Sequence, residues 1–335
     1  MYMFKYVMKR LGLAVFTFLI IITMCFVLIK LLPIHVNVAP GQDKEIAIQQ
    51  LVDRGWITNV RKEANGVYSY DRVPIIIQLG TYVKRIVTEG DFGVATTYGE
   101  YINKPVWEVF MKKLPPTILL NIYSTLIGVP IGLGLGILAA LKKNKWQDQV
   151  INIFIILLVS LPSIVLGLFI KYFLCFKLGW FPLNMNRGTD YFTWDMFRSM
   201  MPAILALSLG SIAGYARFTR AELSEVLTSE FMLLARTKGL TKGQAIFRHA
   251  MRNSMVVIFP SILSQFIFVF SGSLIIENMF SIPGVGGLYL NAINFQDVDF
   301  FMLLSAFHTF IGLTAGIVID ISAGFIDPRI KMGAR

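Results

Sequence analysis

"ARTKGLTKGQAIFRHAMRN", Ala235–Asn253, is the stretch on which the reading of this chain turns. It carries Arg236, Lys238, Lys242, Arg248, His249 and Arg252, has no acidic residue, and sits between two long apolar runs. The chain around it has 335 residues, of which 55% are hydrophobic and 15% charged, with a mean hydropathy of +0.64. Soluble domains hold about half apolar and about a quarter charged residues. A soluble core of this size cannot hide so much apolar surface, so lipid must cover part of it. A net charge of +11 would point to nucleic acid in a soluble protein. In a chain of apolar spans it reads instead as cationic loops that orient helices, and no nucleic-acid partner is expected.

A spanning helix needs about 20 apolar residues. Six runs qualify: Leu11–Leu32, Leu114–Leu141, Val150–Phe176, Met201–Phe218, Met255–Ile276 and Phe301–Phe325. Lys5, Lys9 and Arg10 put the N-terminus inside. Alternation then places Lys142, Lys143 and Lys145, the Arg217–Arg252 region, and the tail with Arg329, Lys331 and Arg335 on the same side. The loop Glu277–Phe300 falls outside, with no basic residue and three acids, Glu277, Asp297 and Asp299. The fold class is an all-α membrane protein of six transmembrane helices with both termini cytoplasmic. Residues 1–32 form the cytoplasmic N-terminus and first helix, 33–113 an extracytoplasmic loop or cap, 114–326 a core of five helices with a cytoplasmic loop at 219–253, and 327–335 the tail.

Nothing in the sequence carries catalytic chemistry. Cys25 and Cys175 lie inside apolar runs, and His35, His249 and His308 are far apart. There is no HExxH and no phosphate-binding GxxxxGK[ST], so no metal, cofactor or catalytic residue is expected and the chain does not hydrolyse ATP itself. Small residues recur every four positions at Gly128, Gly132, Gly136 and Ala140, at Ala206, Gly210 and Gly214, and at Gly312, Gly316 and Gly324, which predicts close helix packing. Pro130 and Pro162 predict kinks. Lys30 and Lys171 lie near span ends and can snorkel to water. In the external stretch Ile75, Ile76, Leu79, Tyr82, Val83 and Ile86 form a helical stripe, read either as a surface helix or as packing inside a small cap, with Asn65–Gly66 as a turn.

Around the basic stretch, Ser229 stands where a helix cap belongs and Glu230 suits the first turn. Phe231, Leu234, Ala235 and Lys238 follow at i, i+3, i+4 and i+7, giving one mostly apolar face. Gly239 stops that helix, and Thr241 with Gln244 forms a capping box that starts a second. The pattern is helix, sharp turn, helix in the cytoplasm, presenting an apolar knob ringed by cations. Scattered Lys and Arg would suffice for a loop that only orients the bundle. Capped helices point to a docking element, because exposed apolar faces mark partners.

"ARTKGLTKGQAIFRHAMRNSMVVIFP" resembles the EAA loop of bacterial ABC importer permeases, in wording that of the oligopeptide, dipeptide and nickel permease family. "GDFGVATTYGE" (Gly90–Glu100), "YARFTRAELSEVL" (Tyr215–Leu227), "ENMFSIPGVGGLY" (Glu277–Tyr289) and "DPRIK" (Asp327–Lys331) fit the same family in the same order. The alanine-rich opening of the loop is thinner here, and the exterior loop is somewhat long. The resemblance implies a type I ABC importer permease fold in a bacterial inner membrane. It implies a second permease, two ATPase subunits that hold ATP and Mg, an extracytoplasmic binding protein, and a peptide substrate. Ala235 and Gly239 match the motif's alanine and glycine, and Arg248, His249, Arg252 and Asn253 its second half. With Phe231, Leu234, Arg236 and Lys238 these are the expected ATPase-coupling residues.

Four residues are candidates for the substrate pathway. His308 and Asp320 share a ridge of the last span, and ionisable residues in a span are functional candidates by default, or else hydrogen-bond a neighbouring helix. Glu277 and Pro283 open "ENMFSIPGVGG", which the resemblance suggests is re-entrant, the alternative being a plain exterior turn. Other readings are a nickel or metal-chelator permease, a self-contained secondary transporter, for which no inverted repeat or ion site is visible, and a membrane enzyme, for which no nucleophile–base pair is evident.

Overall fold

The computed structural model describes residues 2–32, 44–62, 68–96, 101–188 and 190–326. Five of its helices are long and apolar enough to cross a membrane, or six if one bent pair counts as a single span. The first is α1 (Tyr2–Leu31), whose 30 residues reach about 45 Å at 1.5 Å per residue, more than a hydrocarbon core of about 30 Å. After α2 (Lys44–Asp53), a hairpin of β1 (Ile57–Lys62) and β2 (Tyr68–Arg72), and α3 (Ile75–Glu89) comes α4 (Val106–Leu141), which passes through Pro130 without interruption.

The expected third span is not one kinked rod. It is α5 (Trp146–Ser160) followed by α6 (Ser163–Ile170) and a wide π turn (Lys171–Lys177), the two halves meeting at 103°. Pro162 has no N–H to donate and holds Leu161 extended (φ −89°, ψ 127°), so α5 ends there. The Pro162 carbonyl then receives the N–H groups of Val165 and Leu166 at 2.9 and 3.2 Å and starts α6. Next comes α7 (Trp194–Leu227), begun by the Thr193 side chain, which accepts the Met196 N–H. The basic elbow contributes α8 (Glu230–Thr237), then α9 (Lys242–Ala245), a π turn (Ile246–Ala250), α10 (Met251–Ile267) and a 3-10 turn (Phe268–Ser271). Gly272, in a positive-φ conformation (73°), ends this run short of the expected Ile276. The chain closes with α11 (Leu274–Met279), α12 (Val285–Asn294) and α13 (Val298–Ile326). "DPRIK" and the basic tail lie outside the described residues.

The chain divides into two compact units, Met1–Gly12 with Leu114–Gly286 and Ile311–Arg335, and Leu13–Lys113 with Gly287–Phe310. In the first, the glycine ridge of α4 lies against α7. A Cβ added at Gly128, Gly132 or Gly136 would sit 2.7, 2.7 or 2.6 Å from the Cβ of Ser211, Tyr215 or Thr219. The Ser124 hydroxyl donates to the Ile204 carbonyl, and Ser208 to that of Ser124, both at 3.3 Å. Buried Asp148 at the start of α5 receives Arg220 of α7 through two nitrogens at 2.6 and 2.9 Å. The other ridges differ: a Cβ at Gly210, Gly214, Gly312 or Gly316 meets nothing within 4 Å. The same four-residue spacing thus packs the glycines of one helix against a neighbour and leaves these glycines of two others open. Gly132→Ala is expected to wedge α4 from α7 and cost about 1–3 kcal/mol, as overpacking does. Gly214→Ala should be neutral or stabilise by up to about 1 kcal/mol through helix propensity. Melting of the purified variants checks the pair.

The second unit also holds a two-stranded hairpin beside its helices. Ile57 and Thr58 pair antiparallel with Arg72 and Asp71, and Arg61 and Lys62 with Ser69 and Tyr68, across residues 63–67, which include the expected Asn65–Gly66 turn and lie outside the described residues. β-branched and aromatic residues flanking Asn-Gly favour such a hairpin. Lys62 and the Tyr68 hydroxyl both donate to Glu45, holding that carboxyl below the usual carboxylate range. The α3 stripe splits. Tyr82 is buried, with Ile75, Leu79 and Ile86 packed on Phe26, Trp56 and Ile57, whereas Ile76 and Val83 stay exposed. Lys30 does not snorkel: it is buried, with Nζ 3.0 Å from the Trp56 ring centroid.

Asp297 and Asp299 do not decorate an outer loop; both are fully buried. Asp299 pairs with buried Arg54 at 2.8 Å, and Arg85 stands at 3.9 Å. Asp297 accepts the Thr96 N–H at 2.7 Å. Gly93, at φ 92°, presses so close that a Cβ there would fall 1.9 Å from Asp299 Oδ2. The segment beginning at Gly90 is therefore clamped onto the start of α13, while its residues 97–100 lie outside those described.

Candidate functional site

The elbow is built largely as its local chemistry dictates. Ser229 occupies the cap position of α8, but its hydroxyl donates to the Val226 carbonyl at 2.6 Å rather than accepting from the helix. The capping box is present: Thr241 Oγ1 accepts the Gln244 N–H at 3.3 Å, and Gln244 Oε1 accepts the Thr241 N–H at 3.0 Å. Gly239 takes a left-handed backbone (φ 89°), and its N–H reaches the Arg236 carbonyl at 3.0 Å. A side chain there would be strained, which is why glycine stands between the helices.

The second helix of the elbow is not a separate cytoplasmic helix. It continues through its π turn into α10, so Lys242–Ser271 is one helical stretch of 30 residues and the elbow's far arm is the foot of a span. The α8 faces also differ from the simple stripe. Met232 and Ala235 turn inward onto Ala140, Leu223, Ala245 and Ala250, while Phe231, Leu233 and Leu234 face out. Arg236, Lys238, Gly239, Arg248, His249, Arg252 and Asn253 are exposed, as is Phe247. Of the ten residues expected here, Ala235 alone is buried. Leu233 and Phe247 extend this exposed apolar face, which periodicity alone does not single out, because it assigns a residue to a face without saying which face is covered.

A second feature opens between α7 and α10, with Ile319 of α13. It is a groove of about 690 Å³ whose lining includes Gly210, Gly214, Tyr215, Ser261, Ser264 and Gln265, and no charged side chain. Tyr215 donates to the Ser261 carbonyl at 2.9 Å. Ser261, Ser264 and Gln265 recur at i, i+3 and i+4 of α10. That polar stripe within an apolar span is legible in the sequence from its helical spacing.

None of the four expected pathway residues lines this groove. Buried Glu277 accepts from the Thr117 hydroxyl at 3.1 Å, from the Ser273 N–H at 3.1 Å and from the Gly286 N–H at 2.8 Å, holding "ENMFSIPGVGG" as an ordered bend with Pro283 exposed. Half-buried His308 donates from Nδ1 to the Leu304 carbonyl at 2.7 Å. Asp320 pairs with Arg10 of α1 at 2.9 Å. Lys171 donates to Asn184 and to the Met279 carbonyl.

Apolar spans joined by a capped basic elbow, with an uncharged groove between the two spans that flank it, define a multi-pass membrane permease. The chain belongs to the binding-protein-dependent transport system inner membrane components, which it matches over residues 132–332. It is 30% identical over 330 residues to a dipeptide transport system permease protein of Lactococcus lactis subsp. cremoris, covering 98% of this chain and 100% of that one. It is 28% identical over 329 residues to a glutathione transport system permease protein of Salmonella choleraesuis, covering 98% and 99%. The fold is that of type I importer permeases: a solved amino acid ABC transporter superposes with a TM-score of 0.50 at 19% identity, over 64% of this chain and 92% of that one.

Proposed function

We propose that this permease carries short peptides into a bacterial cell. It would work in the inner membrane with both termini inside, beside a second permease, two ATPase subunits that hold ATP and Mg, and an extracytoplasmic binding protein. The chain itself is non-catalytic. The uncharged groove carries the substrate reading. Hydroxyl and amide groups within spans belong beside a polar cavity rather than lipid. Such groups suit the N–H and C=O of a peptide main chain and tolerate varied side chains. A nickel path favours imidazole, thiol or carboxylate donors, which this lining lacks. The dipeptide and glutathione names of the relatives point the same way.

The elbow supplies the drive. Met232 and Ala235 pack α8 against Leu223 at the end of α7 and against Ala245 and Ala250 at the foot of α10, so a push on α8 reaches both helices. Closure of the ATPases on ATP would push the outer face of α8 and tilt α7 and α10, the two helices that flank the groove. The groove then changes from facing inward to facing outward, a two-state change biased by ATP. Radiolabelled dipeptide uptake in cells deleted for this chain, then complemented, tests the substrate. Uptake should return with the chain and be competed by unlabelled dipeptide but not by nickel. Restored nickel uptake without dipeptide uptake would overturn the reading.

A further inference from the structure

Beside α8 lies a cavity of about 430 Å³ between the ends of α4 and α7 and the foot of α10, with Met232 and the exposed Leu233 of α8 on its wall. Its lining includes three cations, Lys143, Arg236 and Lys242, and no acidic side chain. Ser224, only 7% exposed, also lines it, and its buried hydroxyl has no hydrogen-bond partner among the described residues. Apolar Leu227 and Ile246 contribute further wall. A buried unpartnered hydroxyl calls for an acceptor, and three cations call for an anion. The apolar wall distinguishes a lipid from a soluble ion, since only a lipid brings hydrocarbon beside its phosphate. Phe231 and Leu234, which face out from α8 toward a docked ATPase, do not line this cavity, and Leu233 borders both faces.

We propose that this cavity binds the phosphate headgroup of an anionic phospholipid, which ties the coupling helix to the bundle. Cations near a membrane surface attract such headgroups additively, about fivefold in affinity for each. Native mass spectrometry of the complete complex, purified in mild detergent with added phosphatidylglycerol or phosphatidylcholine, reads the retained lipid. Phosphatidylglycerol should be retained over phosphatidylcholine. Lys143→Gln with Lys242→Gln should weaken that retention on the order of 25-fold. Removing two exposed lysines elsewhere on the chain, Lys5→Gln with Lys9→Gln, should leave it unchanged. Ser224→Ala removes the buried hydroxyl without adding bulk and should also weaken retention. Equal retention of both lipids, equal loss in the Lys5/Lys9 control, or displacement of the lipid by inorganic phosphate would each overturn the assignment.

Discussion

Asp299→Ala should leave little folded protein in the membrane. The substitution strands the Arg54 guanidinium, itself 6% exposed, beside Arg85 and Lys30 without its ion-pair partner. Breaking a buried pair from one side costs about 3–5 kcal/mol, a large share of the stability of most domains. The penalty is the orphaned charge rather than the lost attraction. Asp299→Leu combined with Arg54→Met should therefore recover much of the loss, since well-packed apolar replacements of buried pairs are often neutral. Thermal melting of detergent-solubilised protein separates the two variants. An Asp299→Ala protein that melts with the wild type would show that the clamp on the Gly90 segment contributes nothing to stability.

Leu233→Asp with Leu234→Asp should uncouple the permease from its ATPase while leaving it folded. Both side chains are exposed, at 66% and 56%, so nothing in the chain's own core depends on them. Buried anchors of an interface contribute about 2–4 kcal/mol each, so docking should weaken by at least about 30-fold. Co-purification of ATPase subunits with the tagged permease reads this directly. Ala235 makes a poorer test than its place in the motif suggests. It is buried against Ala245 and Ala250, and a bulky substitution there disturbs the elbow as well as any partner. Undiminished ATPase recovery with the double aspartate variant would move the docking surface elsewhere, with the exposed Phe247 and Arg248 as the next place to look.

What could be read from the sequence follows the range of the interactions. The capping box at Thr241, the stop at Gly239 and the break at Pro162 depend on residues within a few positions of each other, and all three stand in the structure. The fate of the acidic outer loop depends on Arg54 and Arg85, more than two hundred residues upstream, so Asp297 and Asp299 read as surface charge until the fold buries them. The glycine ridges show the same limit. Their spacing is shared, yet the α4 glycines meet another helix while Gly210, Gly214, Gly312 and Gly316 do not, because spacing sets which residues share a face and not what lies opposite. The groove escaped for a related reason. Charged residues in spans draw attention, while Ser261, Ser264 and Gln265 carry no charge and lie among apolar neighbours.

ATP-driven uptake by the reconstituted transporter tests the central claim most directly. This chain, its partner permease and their ATPase subunits would be placed in liposomes, with the binding protein and a labelled dipeptide on one side and ATP with Mg on the other. Accumulation of dipeptide that requires ATP, and that disappears with Leu233→Asp and Leu234→Asp, is the predicted result. Dipeptide movement that proceeds equally without ATP, or that survives the loss of the elbow's leucines, would contradict it.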